Sequence, residues 1–184
     1  KFKRAGLPPI STHELVDEGS DDIISCLRQA KLFNAPGDRV KIIYYPVFLS
    51  GADRLLDLGY YEGIMGCHLG VFPSYYEPWG YTPLETAALA VCSVTTDLSG
   101  FGRFIKPFKK PDEPPGVYVI DRLGKSDEQV VSSLQDMMLS FTLQPTADRI
   151  HQKLEAKHMA ALADWKILAK NYLEAHKLAL SKKI

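Results

Sequence analysis

The chain has 184 residues, 46% of them hydrophobic and 24% charged, and its 22 basic residues balance its 22 acidic ones. This length suits a single domain, and zero net charge argues against a nucleic-acid-binding module, which normally carries a basic stripe. No apolar run approaches the roughly 20 residues that cross a bilayer, so we expect no membrane association.

The three cysteines, Cys26, Cys67 and Cys92, are widely spaced and lie in apolar settings. An odd number at such spacing is typical of buried, reduced thiols, and neither a disulfide framework nor a metal site is expected. We therefore expect a cytoplasmic protein. The chain opens on loop-like residues without an initiator Met, so we expect it to be a piece of a longer protein.

The first 60 residues predict one helix and one strand. Residues 1–20 form an irregular lead-in rich in turn formers. Apolar residues then recur at helical spacing at Ile23, Ile24 and Leu27, after an acidic first turn. The β-branched and aromatic run at 40–45 predicts a buried strand.

Strands and helices alternate in the middle of the chain. Such alternation, with nearly continuously apolar strands, is typical of a Rossmann-like α/β domain, a parallel sheet with helices on both faces. We assign residues 21–125 to it. Parallel sheets bind ligands at the carboxyl ends of their strands, so residues 75–82, 97–102 and 121–122 should meet at one rim. The predicted elements are a helix at 60–67, a strand at 69–73, a helix at 83–91, a strand at 93–96, a short helix opened by the turn at 99–102 and a strand at 116–120.

Residues 126–184 predict a C-terminal helical segment. Ser126 and Gln129 fit a capping box that opens a helix with Val130, Leu134 and Met138 on one face. A second helix is predicted at 146–158. The last helix carries an apolar stripe, which we expect to pack against another part of the molecule. The stripe consists of Leu162, Trp165, Leu168, Ala169, Tyr172 and Ala179.

The segment 74–85 (SYYEPWGYTPLE) joins a predicted strand to a predicted helix through a Pro/Gly turn. A helix start concentrates unpaired N–H groups and partial positive charge, which suits a phosphorylated sugar donor. Glu77 lies in the loop and Glu85 in the first helical turn, so each could hold a different part of one ligand.

A purely structural interpretation of the same segment stays open. Thr82, Pro83 and Glu85 fit a capping box, with Thr82 as the N-cap residue and Glu85 three positions later. Glu85 would then only stabilise its own helix. No comparable structural role in the local sequence explains a carboxylate at Glu77. The aromatic residues Tyr75, Tyr76, Trp79 and Tyr81 would be packing residues.

Residues 66–83 (GCHLGVFPSYYEPWGYTP) closely resemble the eukaryotic (animal and fungal) glycogen synthases, glycosyltransferase family 3, as do 32–34, 38–41, 98–102 and 164–166. The resemblance covers nearly the whole chain. It implies a retaining glucosyltransferase of the GT-B class, in which two Rossmann-like domains face each other across a cleft. Such enzymes transfer glucose from UDP-glucose to the non-reducing end of glycogen in an α-1,4 link. This chain resembles most of the second, donor-binding domain and its trailing helices.

The resemblance also implies roles for individual residues. Glu77 is the catalytic residue, which contacts the donor glucose near the reacting centre. Glu85 holds ribose hydroxyls, Tyr60 stacks on uracil, and backbone N–H groups at 80–82 receive the diphosphate. No metal or other cofactor is expected. The donor-binding set is Tyr60, Trp79, Gly80, Tyr81, Thr82 and Glu85.

The chain departs from the family pattern in three ways. The cations that grip the donor phosphates, and the whole acceptor domain, belong to an earlier stretch, so we expect this piece alone to be inactive. The helix that senses glucose 6-phosphate keeps only Arg149, Lys153 and Lys157 as candidate regulatory cations, which are too few for a strong anion site. Tyr45, Val47 and Asp97 also differ from the family pattern.

Two functional hypotheses follow. In the first, the chain is the donor-binding half of a glucosyltransferase, with UDP-glucose and a glycogen chain as substrates, glycogenin as a possible partner and a homo-oligomer as the assembled form. In the second, it is a non-catalytic nucleotide-sugar-binding or oligomerisation module. The presence of Tyr60, Glu77 and Glu85 favours the first hypothesis.

Overall fold

A computed structural model describes residues 8–110 and 113–182, so the first seven residues of the lead-in and part of the loop at 111–115 lie outside the described residues. The predicted first helix is confirmed as α1 (Asp22–Gln29). The Asp21 carboxylate caps it by accepting a hydrogen bond from the N–H of Ile24 at 2.8 Å. Ile24 is the buried residue of this helix and lines a cavity together with residues 8–14 of the lead-in.

The predicted strand at 40–45 is wrong. This segment makes a single parallel bridge, between Ser11 and Tyr44, and Val40 and Ile43 are exposed. An apolar β-branched run becomes a strand only where a neighbouring strand pairs with its backbone. The sheet described below does not include this run, and its other apolar residues, such as Ile42 and Tyr44, are only half-buried.

The core of the fold is a three-stranded parallel sheet in the order β1-β2-β3. Its strands are β1 (Leu69–Val71), β2 (Cys92–Thr96) and β3 (Val117–Ile120). Helix α2 (Tyr60–Met65) precedes β1, α3 (Tyr81–Ala88) joins β1 to β2, and α4 (Gly100–Ile105) with a 3-10 turn at Lys106–Phe108 joins β2 to β3. These are two strand–helix–strand units, as predicted.

Three helices complete the chain: α5 (Asp127–Leu143), α6 (Thr146–Ala161) and α7 (Trp165–Ser181). The predicted capping box of α5 is confirmed. The N–H of Ser126 donates to the Gln129 side chain at 3.0 Å, and the N–H of Gln129 donates to the Ser126 hydroxyl at 3.4 Å. On the inner face of α5, Val130 is buried and Leu134 is half-buried, whereas Met138 turns outward.

Apolar side chains cover both faces of the sheet, which confirms the predicted Rossmann-like α/β class. On one face Val117 packs with Phe101 of α4 and Ala156 of α6. On the other face Val94 and Ile120 pack against α5. Because successive side chains of a strand point to opposite faces, β3 contributes to both layers.

The surface differs from two expectations. Cys92 is buried as predicted, but Cys26 and Cys67 are exposed. Cys26 lies two positions after Ile24, roughly 200° around α1 from the buried side of that helix. The predicted apolar stripe is covered only in part: Leu162 packs against the core, Leu168 and Ala169 are half-buried, but Trp165 and Tyr172 on α7 are 67% and 57% exposed. Among the described residues, no helix has the length and apolarity to span a bilayer.

Candidate functional site

The loops that follow the first two strands meet, as predicted. The Thr96 hydroxyl, at the end of β2, donates to the carbonyl of Ser74 at 2.8 Å. The N–H of Glu77 donates to the carbonyl of Leu98 at 3.2 Å, and the N–H of Gly100 donates to the carbonyl of Glu77 at 3.0 Å. The backbone on both sides of Glu77 is therefore fixed by the neighbouring strand end.

The third loop joins the same rim through Asp97. The carboxylate of Asp97 accepts hydrogen bonds from the N–H groups of Arg122 at 2.8 Å and Leu123 at 3.1 Å. The carboxylate of Asp97 thus closes the turn after β3. Asp97, which differs from the family pattern, therefore has a local structural role. The expected convergence of 75–82, 97–102 and 121–122 is confirmed.

The turn at Gly80 determines where α3 begins. Gly80 is the N-cap residue and has φ +105° and ψ 70°, a left-handed conformation that side-chain-bearing residues rarely adopt. Helix α3 starts at Tyr81, so Thr82 is already inside its first turn. The predicted capping box with Thr82 as N-cap residue and Glu85 as its partner is therefore wrong.

The N–H groups of Gly80, Tyr81 and Thr82 point out of the helix start. Among the described residues, none of the three donates a hydrogen bond to a protein acceptor. A helix leaves its first N–H groups unpaired, and its dipole adds partial positive charge there. These are the properties of an anion-binding turn.

A cleft of about 290 Å³ lies directly beside this turn. The half-buried side chain of Glu77 reaches its wall, together with Gly80 and Thr82. No ion pair involves Glu77 or Glu85 within the described ranges. The remaining lining residues are Phe72, Pro73, Ser74 and Pro83.

Glu85 is held by residues from a different helix. Its carboxylate accepts hydrogen bonds from the hydroxyls of Tyr60 at 2.9 Å and Tyr61 at 3.4 Å, which occupy the first two positions of α2. Burial, followed by the bond to Glu85, raises the pKa of Tyr60, while a hydrogen bond with Thr82 opposes this shift. Thr82 also lines the cleft beside Glu77.

The aromatic residues of the segment divide into two groups. The Trp79 ring packs 6.0 Å from Phe101 and 5.6 Å from Phe104, so it has the packing role of the structural interpretation. Tyr75, Tyr76 and Tyr81 are 70% to 80% exposed, which is contrary to a packing role for them.

The three candidate regulatory residues lie away from this rim. Arg149, Lys153 and Lys157 are four residues apart along α6 and share one of its sides. Burial raises the pKa of the Cys92 thiol to about 11, while the Lys153 ammonium opposes this shift. Since Cys92 begins β2, Lys153 faces the end of the sheet opposite to Glu77.

The other two residues that differ from the family pattern, Tyr45 and Val47, lie in the irregular first part of the chain. The Tyr45 hydroxyl donates to Asp53, which raises the pKa of Tyr45 to about 12, and the Tyr45 ring meets His13 edge-on at 5.1 Å. Val47 is 45% exposed, and nothing in the structure explains why this residue differs from the family pattern.

Sequence reasoning missed two contributors to the site. Tyr61 shares Glu85 with Tyr60, and no local pattern links residues so far apart in the chain. Ser99 caps α4 and also donates through its hydroxyl to the carbonyl of Trp79 at 2.9 Å, which fixes the end of the loop. In the sequence, the position of Ser99 before a glycine-rich helix start indicates only that it caps the helix.

Comparison with known proteins gives one family and several relatives. The family model described as "Glycogen synthase" matches residues 1–184. Isoform 2 of glycogen (starch) synthase from Saccharomyces cerevisiae is 44% identical over 176 residues, which is 95% of this chain and 25% of the yeast protein. The liver glycogen (starch) synthase of Mus musculus is 42% identical over 180 residues, 98% of this chain and 26% of the mouse protein. The Neurospora crassa protein is 42% identical over 179 residues, 97% of this chain and 25% of that protein. The chain thus spans about a quarter of the length of these relatives.

Proposed function

This chain belongs to the glycogen synthase family, and from that premise we propose that it is the donor-binding half of a retaining glucosyltransferase. The proposed parent protein transfers glucose from UDP-glucose to the non-reducing end of a glycogen chain. The observation that carries the proposal is the cleft in which the Glu77 carboxylate lies beside the open N–H groups at the start of α3. An acid and an anion-binding turn in one cleft suit a sugar joined to a phosphate.

The phosphate groups are proposed to bind at the Gly80 turn. The N–H groups of Gly80, Tyr81 and Thr82 have no acceptor among the described residues, so an oxyanion would satisfy donors that are otherwise left to water. As the glucosyl–phosphate bond breaks, negative charge builds up on the departing phosphate. Donors already fixed at that position stabilise the transition state more than the ground state.

Glu77 is proposed to act on the glucosyl group. Its backbone is fixed on both sides by the end of β2, so its half-buried carboxylate enters the cleft in a defined direction. Positive charge develops on the sugar as the bond to phosphate lengthens, and a carboxylate beside it favours that state. The acceptor 4-OH would enter from the acceptor domain of the parent protein.

The nucleoside is proposed to bind between α2 and α3. Tyr60 is 41% exposed, so part of its ring is accessible for stacking on the uracil base. The Glu85 carboxylate is acceptor-only, and ribose hydroxyls are donors that match it. Since Glu85 now accepts from Tyr60 and Tyr61, the ribose would share or replace those bonds.

No metal ion is part of this proposal. The resemblance to the family implies that cations from an earlier segment of the parent protein meet the charge of the phosphates together with the N–H groups of α3. Binding to glycogenin, assembly into a homo-oligomer and a cytoplasmic location are likewise proposals that follow from the resemblance.

The test compares two glutamate variants in the full-length parent protein. Glu77→Gln should lower kcat by roughly 100-fold or more with little change in the KM for UDP-glucose, because it removes a charge needed in the transition state. Glu85→Gln should chiefly raise that KM by roughly 10- to 100-fold, since hydrogen bonds to a charged group contribute about 1.5–3 kcal/mol. Glu128→Gln, at the exposed start of α5, is the control variant and should leave kcat and KM unchanged.

The first result tests the catalytic role of Glu77, and the second tests whether this chain is active alone. A Glu77→Gln protein as active as the wild type would remove this residue from the mechanism. The isolated chain should show no turnover in a radiolabel-transfer assay, because it spans only about a quarter of the length of its relatives, and clear turnover would contradict that expectation.

The non-catalytic alternative keeps one supporting observation, the uncovered apolar side chains of α7 such as Trp165 and Tyr172. A parent protein that binds UDP-glucose and self-associates without transferring glucose would favour it.

A further inference from the structure

Arg122 is a buried cation at the rim, directly after β3. The residue is 9% exposed, and its guanidinium donates to the Asp127 carboxylate at 2.8 Å. A charge is retained in such a position only when partners compensate for its lost hydration. Asp127 itself is largely exposed, with 68% of its side chain accessible, so the pair is not simply a closed internal salt bridge.

The second partner of Arg122 is the ring of Tyr75. The guanidinium carbon lies 3.4 Å from the ring centroid, and the Tyr75 hydroxyl donates to the same Asp127 oxygen at 3.3 Å. Tyr75 is 70% exposed, so core packing does not fix its side chain. A planar guanidinium stacks on an aromatic face, and the attraction is stronger when the cation is desolvated.

Tyr75 stands two residues before Glu77 in the rim loop. The loop is held through the carbonyl of Ser74 at its start and through the backbone of Glu77 further on. Between these two points, the contact with Arg122 and Asp127 is the side-chain anchor that the described residues provide. It therefore restrains the loop two residues before Glu77, in addition to the backbone hydrogen bonds of Glu77 itself.

We infer that Arg122 is a positioning residue for the transfer reaction, acting through the Tyr75 ring to hold the Glu77 loop. The inference rests on the proposed function, because Glu77 is the group being positioned. Arg122 itself touches no substrate in this assignment. Its effect should therefore appear in kcat and depend on the presence of the Tyr75 ring.

A double-mutant cycle in the full-length parent protein tests this assignment. Arg122→Lys keeps the charge and loses the planar stack, and Tyr75→Leu removes the ring from an exposed position, which leaves the core intact. Each should lower kcat roughly 10- to 100-fold, since a displacement of about 1 Å at a reacting group can have an effect of that size. The KM for UDP-glucose should stay near the wild-type value.

The decisive measurement is the double variant. If Arg122 acts through Tyr75, Arg122→Lys combined with Tyr75→Leu is no slower than the slower single variant. Tyr75→Phe keeps the ring and should keep near wild-type kcat. Lys106→Ala removes an exposed ion pair with Asp121 on the same edge and should also behave as wild type.

Three results would overturn the assignment while leaving the proposed function intact. These are wild-type kcat in Arg122→Lys, a double variant whose loss is the product of the single losses, and a Tyr75→Phe protein as slow as Tyr75→Leu. A wild-type parent protein without any glucosyl transfer would overturn the proposed function and this assignment together.

Discussion

Replacing Gly80 by alanine is the most direct test of the turn that precedes α3. A Cβ built on Gly80 would lie 2.7 Å from the Ser99 hydroxyl and 3.3 Å from the ring of Pro83. The residue would also have to keep φ +105°. Both effects act on the same turn, whose N–H groups are the proposed phosphate donors.

The size of the effect can be worked out from these contacts. A left-handed conformation costs a residue with a side chain about 1–2 kcal/mol, and overpacking a rigid site costs about 1–3 kcal/mol. Ser99 cannot easily move, because its hydroxyl donates to the carbonyl of Trp79 at 2.9 Å and caps α4. The free energy of unfolding should therefore fall by about 2–5 kcal/mol. For a domain of this size that lowers Tm by roughly 4–20 °C.

Two other glycines provide matched controls for thermal unfolding followed by circular dichroism. Gly124 has φ +72°, and a Cβ at this position would meet nothing within 4 Å, so Gly124→Ala carries the backbone strain alone. Gly51 has neither a positive φ nor a neighbour within 4 Å, and Gly51→Ala should leave Tm unchanged. A Gly80→Ala protein that unfolds at the same temperature as Gly124→Ala, or above it, would show that the Ser99 and Pro83 contacts add nothing to the backbone strain.

The remaining predictions concern thiol reactivity and helix capping. In the native chain at pH 8, an aromatic disulfide reagent should modify Cys26 and Cys67. Cys92 should react only after unfolding, because it is buried and its pKa is raised to about 11. Rapid modification of all three native thiols would contradict the structure. Ser126→Ala should lower the free energy of unfolding by about 1 kcal/mol through loss of the α5 cap, measured by urea denaturation, with the exposed Ser132→Ala as control. Equal midpoints for these two serine variants would show that the cap contributes nothing.

Most of the sheet could be predicted from the sequence because its strands are short runs of apolar or β-branched residues, each followed closely by Pro or Asp. The runs at 69–73, 93–96 and 116–120 fall on β1, β2 and β3 to within two residues. Residues 40–45 have the same composition and form no strand. Apolar composition alone does not make a strand, because a strand also needs a neighbour that pairs along its length, and this run has only the single bridge at Tyr44.

In the candidate site, too, the features set by neighbouring residues could be predicted from the sequence, whereas contacts between distant residues could not. The turn chemistry of 78–83 correctly indicated a helix start with open N–H groups. Thr82 and Glu85 match a capping box, but Gly80 takes the N-cap position with a left-handed φ and starts the helix earlier. The hydroxyl of Tyr60, 25 residues away, then reaches Glu85. Local spacing cannot reveal such a contact, because it arises from packing α2 beside α3.

Close backbone packing holds the rim loop that carries Glu77 and the proposed phosphate donors. A Cβ on Gly100 would lie 2.2 Å from the carbonyl oxygen of Pro78, so the loop packs backbone against backbone on the start of α4. The N–H of Phe101 donates to the carbonyl of Trp79 at 2.6 Å in the same contact. Donors held by such packing need little reorganisation when negative charge develops beside them, which is the condition for electrostatic stabilisation of a transition state. The loop conformation, and with it the position of Glu77, therefore depends on a glycine at position 100 as much as on the one at position 80.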